Sequence, residues 1–303
     1  MAISAEMVKE LRERTGAGVL DCKNALVETD GDIEQSIKIL REKGLAKVAK
    51  KAGRVASEGL VSINFSPDYK KAVIVEVNSE TDFVAKNDEF KEFVAKLPVI
   101  ALENAWSDLE DFCNIKYEKD SIKDTLNNMI ATIGENMNIR RIQKLESPGA
   151  VHVGYIHGGG RIGVVIGLET EADYDSVVTM GKDIAMQVAS MSPRFIDESD
   201  VDDDYIESEK EILIQQALNE GKPQDIVEKM VVGRLKKELK ESCLLEQKFV
   251  RNADITVKQY VDDSAKAIGK PIKVSGMVRY EVGEGIEKRE QNFAEEVAKQ
   301  MGS

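Results

Sequence analysis

One pattern occurs twice in this chain, and the repetition restricts the fold more than any other feature. Leu60-Val61-Ser62-Ile63-Asn64-Phe65 and Ala72-Val73-Ile74-Val75-Glu76-Val77 are β-branched runs joined by a Ser66-Pro67-Asp68 turn. A helical stripe follows through Phe90, Phe93, Val94 and Leu97, which Pro98 is expected to interrupt, and helix returns from about Ser121 to Ile133. The second copy has strands at Val151–Ile156 and Gly163–Leu168, a Gly158-Gly159-Gly160 turn, and a helix from about Asp173 to Ser190. At one constant offset Val73 matches Val164, Glu80 matches Glu171, Asp82 matches Asp173 and Phe83 matches Tyr174. Tandem hairpin-plus-helix subdomains predict an α+β fold.

Helical segments flank this core. Ser4 is placed to cap a helix with Met7, Val8 and Leu11 on one face, and Thr15-Gly16-Ala17-Gly18 breaks it. A second helix is expected from Val19 to Glu28. A third starts after Asp32, with Ile33, Ile37 and Leu40 in its stripe, and Gly44 is expected to end it. The basic run Lys47 to Arg54 reads as a solvated linking helix or as a patch for an acidic or phosphate-bearing partner. Between Asp202 and Lys240, two charged amphipathic helices meet at Gly221-Lys222-Pro223 and predict an antiparallel hairpin. Tyr205, Ile212, Leu213, Ile214, Leu218, Ile226, Met230, Val231 and Leu235 form its short stripes. Helix is expected again over Thr256 to Ile268, strand over Ile272 to Val282, and a final helix over about Gly285 to Met301. The expected domains are 1–54, 55–146, 147–201 with 241–282, the inserted hairpin 202–240, and a helical module 283–303.

Composition narrows the chemistry. The 303 residues carry 42 basic and 55 acidic side chains, a net charge of −13 that disfavours phosphate-backbone binding. Two histidines and one tryptophan leave little for histidine catalysis or base stacking. Cys22, Cys113 and Cys243 are odd in number and form no CxxC pair, against a disulfide framework or zinc knuckle. No run of 18 apolar residues occurs, and the charged amphipathic start lacks an apolar signal core, so a cytoplasmic protein without membrane contact is expected. No cofactor or metal is expected.

Most reactive motifs fail on context. Gly158-x-Gly160-x-x-Gly163 matches a dinucleotide fingerprint, but a strand follows it where a helix is required. His157-Gly158-Gly159-Gly160 resembles an esterase oxyanion loop, with no GxSxG beside it. His152 and His157 face opposite sides of one strand. A hydrolase or transferase built on His157 or Cys22 lacks a paired base and nucleophile. Thr81-Asp82-Phe83-Val84-Ala85-Lys86-Asn87 reads in two ways. Either Asp82 caps the helix and Phe83 enters the core, or the pair forms a loop tip that presents a charge and an aromatic wedge to a partner.

That heptad closely resembles the signature loop of bacterial elongation factor Ts. Arg12-Glu13-Arg14-Thr15-Gly16-Ala17-Gly18-Val19-Leu20-Asp21-Cys22-Lys23-Asn24-Ala25-Leu26 is similar to the N-terminus of that family. So are Ile133-Gly134-Glu135-Asn136 with Ile139-Arg140-Arg141, Gly221-Lys222-Pro223 with Glu228-Lys229-Met230-Val231, Tyr155-x-His157, Gln247-x-Phe249-Val250 and Glu281-Val282-Gly283-Glu284-Gly285-Ile286-Glu287-Lys288. The resemblance implies a non-enzymatic guanine-nucleotide exchange factor for elongation factor Tu. It implies a ubiquitin-associated-like (UBA-like) three-helix domain, two related core subdomains, an inserted helical hairpin and a C-terminal helical module; read from its own stripes, the hairpin can satisfy them internally or against a second copy. It places Thr81, Asp82, Phe83 and Val84 near the partner's magnesium and phosphate site. Arg12, Val19 and Leu20 would dock the bundle on the partner's nucleotide-binding domain, and Ile133, Gly134 and Asn136 would border that contact. His157, Phe249 and Val250 would meet its other domains. Val19-Leu20 replaces the methionines common in the family, and Gly158–Gly160 is unusually glycine-rich. A non-exchanging adaptor or structural interaction protein is the alternative.

Overall fold

The computed structural model describes residues 3–221 and 223–287. Lys222 and most of the expected final helix lie outside these, as does the side chain of Ile226. The chain divides into two compact units: Met1–Ser62, Val75–Ile142 and Glu281–Ser303 in one, and Ile63–Ile74 with Gln143–Tyr280 in the other. The architecture is α+β.

The first unit begins with α1 (Ala5–Thr15), α2 (Val19–Glu28) and α3 (Ile33–Lys51). Ser4 and Asp32 cap α1 and α3 through their side chains, and Gly16 ends α1 in the left-handed region that favours glycine. Leu11, Cys22 and Leu26 form the bundle's centre, with Met7, Ile33, Ile37 and Leu40 against them. Gly44 does not end α3. The helix packs there on α7 (Ile122–Ile133), with the Ala131 Cβ 3.4 Å from where a Cβ would stand, and this packing offsets the cost of about 1 kcal/mol in glycine propensity.

Strands β1 (Glu58–Phe65) and β2 (Lys71–Ser79) are followed by α4 (Asp82–Lys86) and α5 (Asp88–Glu103). Pro98 lies inside α5 and does not break it. Phe90, Phe93, Val94, Leu97 and Ala101 are all buried, and that burial outweighs the roughly 3 kcal/mol cost of an internal proline. Helix α6 (Leu109–Asn114) and a short ribbon of β3 (Lys116–Tyr117) and β4 (Asp120–Ser121) precede α7, and β5 (Met137–Glu146) follows it. The sequence reading contained none of α6, the ribbon or β5. Strand β5 lies beside β2 in the order β1-β2-β5.

The second unit holds the antiparallel hairpin β6 (Ala150–His157) and β7 (Ile162–Thr170), in register at Val153 and Ile166. Helix α8 (Tyr174–Met191) packs on it, sealing a core of Val153, Val164, Ile166, Val177, Ile184 and Val188. Gly181 makes this approach possible: a Cβ there would meet the Val153 side chain at 2.7 Å. Helices α9 (Asp203–Asn219) and α10 (Gln224–Ser242) pair around Ala217, Val227 and Val231. After β8 (Lys248–Phe249), β9 (Asn252–Thr256) and α11 (Val257–Ile268), β10 (Ile272–Glu281) joins β7. This sheet runs β6-β7-β10, so in both sheets the third strand lies beside the second strand of the hairpin.

Candidate functional site

The turn from β2 into α4 overturns the reading in which Asp82 caps the helix and Phe83 enters the core. Asp82 is the first helical residue, not the cap; Thr81 occupies the cap position, and its side chain makes no capping hydrogen bond. Phe83 does not enter the core: it is 79% exposed, while the next residue, Val84, is buried. A phenyl ring left in water forgoes about 1.5–3 kcal/mol of burial energy, so its outward direction is held by the surrounding structure. Lys86 pairs with Asp82 at 2.6 Å and lies 5.9 Å from the Phe83 ring centre. Asn87 closes α4 and caps α5, accepting from Phe90 N at 3.1 Å.

The turn from α7 into β5 meets this wedge. Gly134 ends α7 with φ of 89°, and Lys51 Nζ donates to its carbonyl. Glu135 accepts from Thr81 N at 3.0 Å and from Thr81 Oγ1 at 2.8 Å. In the opposite direction, Glu80 accepts from Asn136 N at 2.5 Å. Asn136 is buried and donates its Nδ2 to the Arg54 carbonyl at 2.7 Å, while the Arg54 guanidinium lies 3.5 Å from Glu80. The structure therefore gathers Thr81, Asp82, Phe83, Val84, Gly134 and Asn136 around one corner, with Ile133 half-buried beside it. Glu80, Glu135, Arg54 and Lys51 stand in the sequence only within the repeat match, a family motif and the basic run, and none was expected at the site. The available signal was the Glu135 carboxylate directly after a helix-ending glycine.

In the bundle, Arg12 is exposed, and Val19 and Leu20 at the start of α2 are 55% and 69% exposed. A cleft of about 680 Å³ between α3 and α7 has two ion pairs in its lining, Arg41 with Asp124 at 3.1 Å and Lys47 with Asp21 at 2.9 Å.

In the second unit His157 is exposed at the end of β6, with its Nδ1 2.9 Å from the Tyr155 hydroxyl. His152 is buried beside the Tyr69 carbonyl, and burial lowers its pKa below the ordinary histidine value. Gly158–Gly160 form a hairpin turn. Phe249 departs from the expected surface role: it is 4% exposed and stacks on Tyr260 at 4.2 Å. Burying that ring completes the core, and it leaves Val250, 44% exposed, as the surface residue of the pair. Gln187 holds the segment by accepting from Val250 N at 2.8 Å. Cys22 and Cys243 are buried, and burial pushes the Cys243 thiol up to about 11. Among the described residues, no three His, Cys, Asp or Glu side chains gather to hold a metal, and no helix is long and apolar enough to cross a membrane.

These features define an α+β scaffold with an exposed aromatic held at a turn braced by two carboxylates. The elongation factor TS family model matches residues 80–284, the span carrying the wedge turn and both sheets' third strands. An elongation factor Ts of Clostridioides difficile (strain 630) is 58% identical over 300 residues, covering 99% of each chain. Those of Clostridium novyi (strain NT) and Clostridium botulinum (strain Alaska E43 / Type E3) are 53% and 52% identical, each again over 99% of both chains. The chain belongs to the elongation factor Ts family.

Proposed function

We propose that this nucleotide exchange factor for elongation factor Tu in translation elongation releases GDP by pressing Asp82 and Phe83 into the partner's magnesium and phosphate region. The observation that carries this reading is Phe83 itself, 79% exposed and directed outward by a braced turn. An exchange factor binds the nucleotide-free partner more tightly than the loaded one, and reciprocity then weakens nucleotide binding by the same factor. Magnesium is the largest local charge at a phosphate site, so disturbing its surroundings removes much of the nucleotide's stabilisation. No bond is made or broken on this chain, and the role is non-enzymatic.

Arg12, Val19 and Leu20 supply a second docking patch, with Ile133, Gly134 and Asn136 bordering the wedge. His157 and Val250 provide a third contact, with Phe249 supporting Val250 from inside. The net charge of −13 supports a protein partner over nucleic acid or an anionic membrane surface, and a translation factor of this kind works in the cytoplasm. The α9–α10 hairpin serves packing or pairing with a second copy. Its exposed Ile212, Leu218 and Val232 support this role, and light scattering with and without the hairpin tests it.

Stopped-flow release of a fluorescent GDP analogue from purified elongation factor Tu tests the main reading. The expected result is acceleration that saturates with the concentration of this protein. Binding without acceleration would make it an adaptor.

A further inference from the structure

Helix α4 has only five residues, a length that is not stable alone in water. It also lacks the usual support at its start, because Thr81 turns its hydroxyl toward Glu135 and away from the helix amides. What fixes the wedge is a reciprocal brace between two turns. Glu135, from the α7–β5 turn, takes the Thr81 amide and hydroxyl at 3.0 and 2.8 Å. Glu80, from the wedge turn, takes the Asn136 amide at 2.5 Å. Hydrogen bonds to an ionised carboxylate are roughly twice as strong as neutral ones. Arg54 and Lys51 tie the same corner to the end of α3.

We propose that Glu135, seconded by Glu80, is a positioning residue for nucleotide release: it fixes the direction in which Phe83 leaves the surface. This rests on the wedge reading above. Preorganisation of this kind spares the ordering cost of binding, and a displacement of about 1 Å at a reacting site can cost a hundredfold in rate. Glu135 touches neither nucleotide nor metal in this account and acts only through Thr81 and the helix behind it.

The test compares the saturating rate of fluorescent GDP release from purified elongation factor Tu for the parent chain, Phe83→Ala, Glu135→Ala, Glu135→Gln and the double variant Phe83→Ala/Glu135→Ala. Glu135→Ala is expected to lower the saturating rate about tenfold while the half-saturating concentration stays within about threefold. Glu135→Gln keeps an oxygen for the Thr81 amide and an NH2 for the Thr81 hydroxyl, and should restore most of the rate. The double variant should be no more than about twofold slower than Phe83→Ala, because a residue that acts through the wedge has nothing left to position. A general contribution to stability predicts instead that the two losses multiply, and that result overturns the proposal. A slow Phe83→Ala with an unaffected Glu135→Ala overturns it and leaves the wedge reading standing. An unaffected Phe83→Ala overturns both. Should Glu135→Ala fail to fold, Thr81→Val removes only the hydroxyl donor, and the same cycle with Phe83→Ala decides the question, with about a threefold single effect expected.

Discussion

The two strand-to-helix junctions, Glu80-Thr81-Asp82-Phe83 and Glu171-Ala172-Asp173-Tyr174, match at one offset and fold in opposite ways. In the second unit Asp173 caps α8, accepting from Ser176 N at 2.9 Å, and launches a helix of 18 residues. Tyr174 is half-buried and stacks on Tyr69 with ring centres 3.5 Å apart and planes within 7°. In the first unit Asp82 lies one position inside a five-residue helix, and Phe83 stands in solvent. One junction spends its acid and its aromatic ring on stability. The other leaves its ring in solvent and its acid out of the cap, and recruits Glu135 to hold the turn. The contrast teaches that an exposed aromatic carries functional weight where the local structure shows what holding it out requires.

The sharpest way to break this comparison is to truncate each ring in turn. Phe83→Ala should lower the saturating rate of GDP release about a hundredfold, with melting temperature unchanged or slightly raised. A loss of affinity for nucleotide-free elongation factor Tu equal to the loss of rate would show that Phe83 is ordinary docking surface. The difference would then lie in packing alone.

A second contrast lies one layer deeper, on the strands. At the same offset Glu76 of β2 corresponds to Gly167 of β7. Gly167 carries no side chain, and a Cβ there would only reach ordinary van der Waals contact with Gly276 N, at 3.4 Å. Glu76 is fully buried and accepts from Arg141 Nε at 2.6 Å, Arg140 Nη1 at 3.1 Å, Asn78 Nδ2 at 3.0 Å and Gly283 N at 2.9 Å. Burial raises its pKa, but the hydrogen bonds from Gly283, Asn78 and Arg141 outweigh this and hold the carboxyl below the ordinary glutamate range. A group whose pKa is depressed on folding stabilises above its unfolded value and loses that contribution as pH falls through the folded one. Glu76→Gln should therefore cost about 2–3 kcal/mol at neutral pH, with the gap to the parent chain closing below about pH 4. Chemical denaturation at several pH values measures this, and a gap independent of pH would remove Glu76 as the charged tie.

Tyr174→Ala should produce the reverse of Phe83→Ala. Loss of the stacked, half-buried ring should cost about 2 kcal/mol of stability while GDP release at saturation stays within about twofold of the parent. Thermal unfolding and the release assay together read both quantities. A large fall in release from a folded Tyr174→Ala protein would mean that the second junction also carries function.

Segments dominated by local signals were legible in the sequence. The caps Ser4 and Asp32 and the periodic stripes behind them mark helix starts that the structure reproduces, and both hairpins lie where the β-branched runs place them. The errors arose where tertiary contacts overrule local rules. Gly44 and Pro98 are breakers by propensity, yet each sits in a continuous helix because packing against α7 or a buried apolar face outweighs them. Strand β5 was missed because Arg140 and Arg141 interrupt its apolar alternation, and their reason for being there, Glu76, is far away in sequence. At the site, the family motif located Phe83, but the brace depends on pairs 54 and 56 residues apart, which no local pattern reveals. Phe249 lay in a matching motif although its own ring faces the core.

The smallest expected effect separates two accounts of what holds the wedge. Lys86 is the one basic residue on α4; it pairs with Asp82 and approaches the Phe83 ring, so it offers itself as a local clamp. Its side chain is 72% exposed, however, and exposed ion pairs one helical turn apart contribute about 0.3–0.5 kcal/mol, with screening by salt reducing that further. A cation–π contact at an exposed site adds no more than about 1 kcal/mol, and at 5.9 Å this one sits at the edge of the useful range. The bonds to Glu135, by contrast, are of ordinary length but paired on one carboxylate and anchored on a half-buried turn. Lys86→Ala should therefore change the saturating release rate by less than about threefold and the unfolding free energy by about 0.5 kcal/mol or less, and raising salt should shrink even that difference. A tenfold loss of release for Lys86→Ala, persisting in high salt, would mean that the ring is aimed by its own helix, and the contrast between the two junctions would reduce to a single surface lysine.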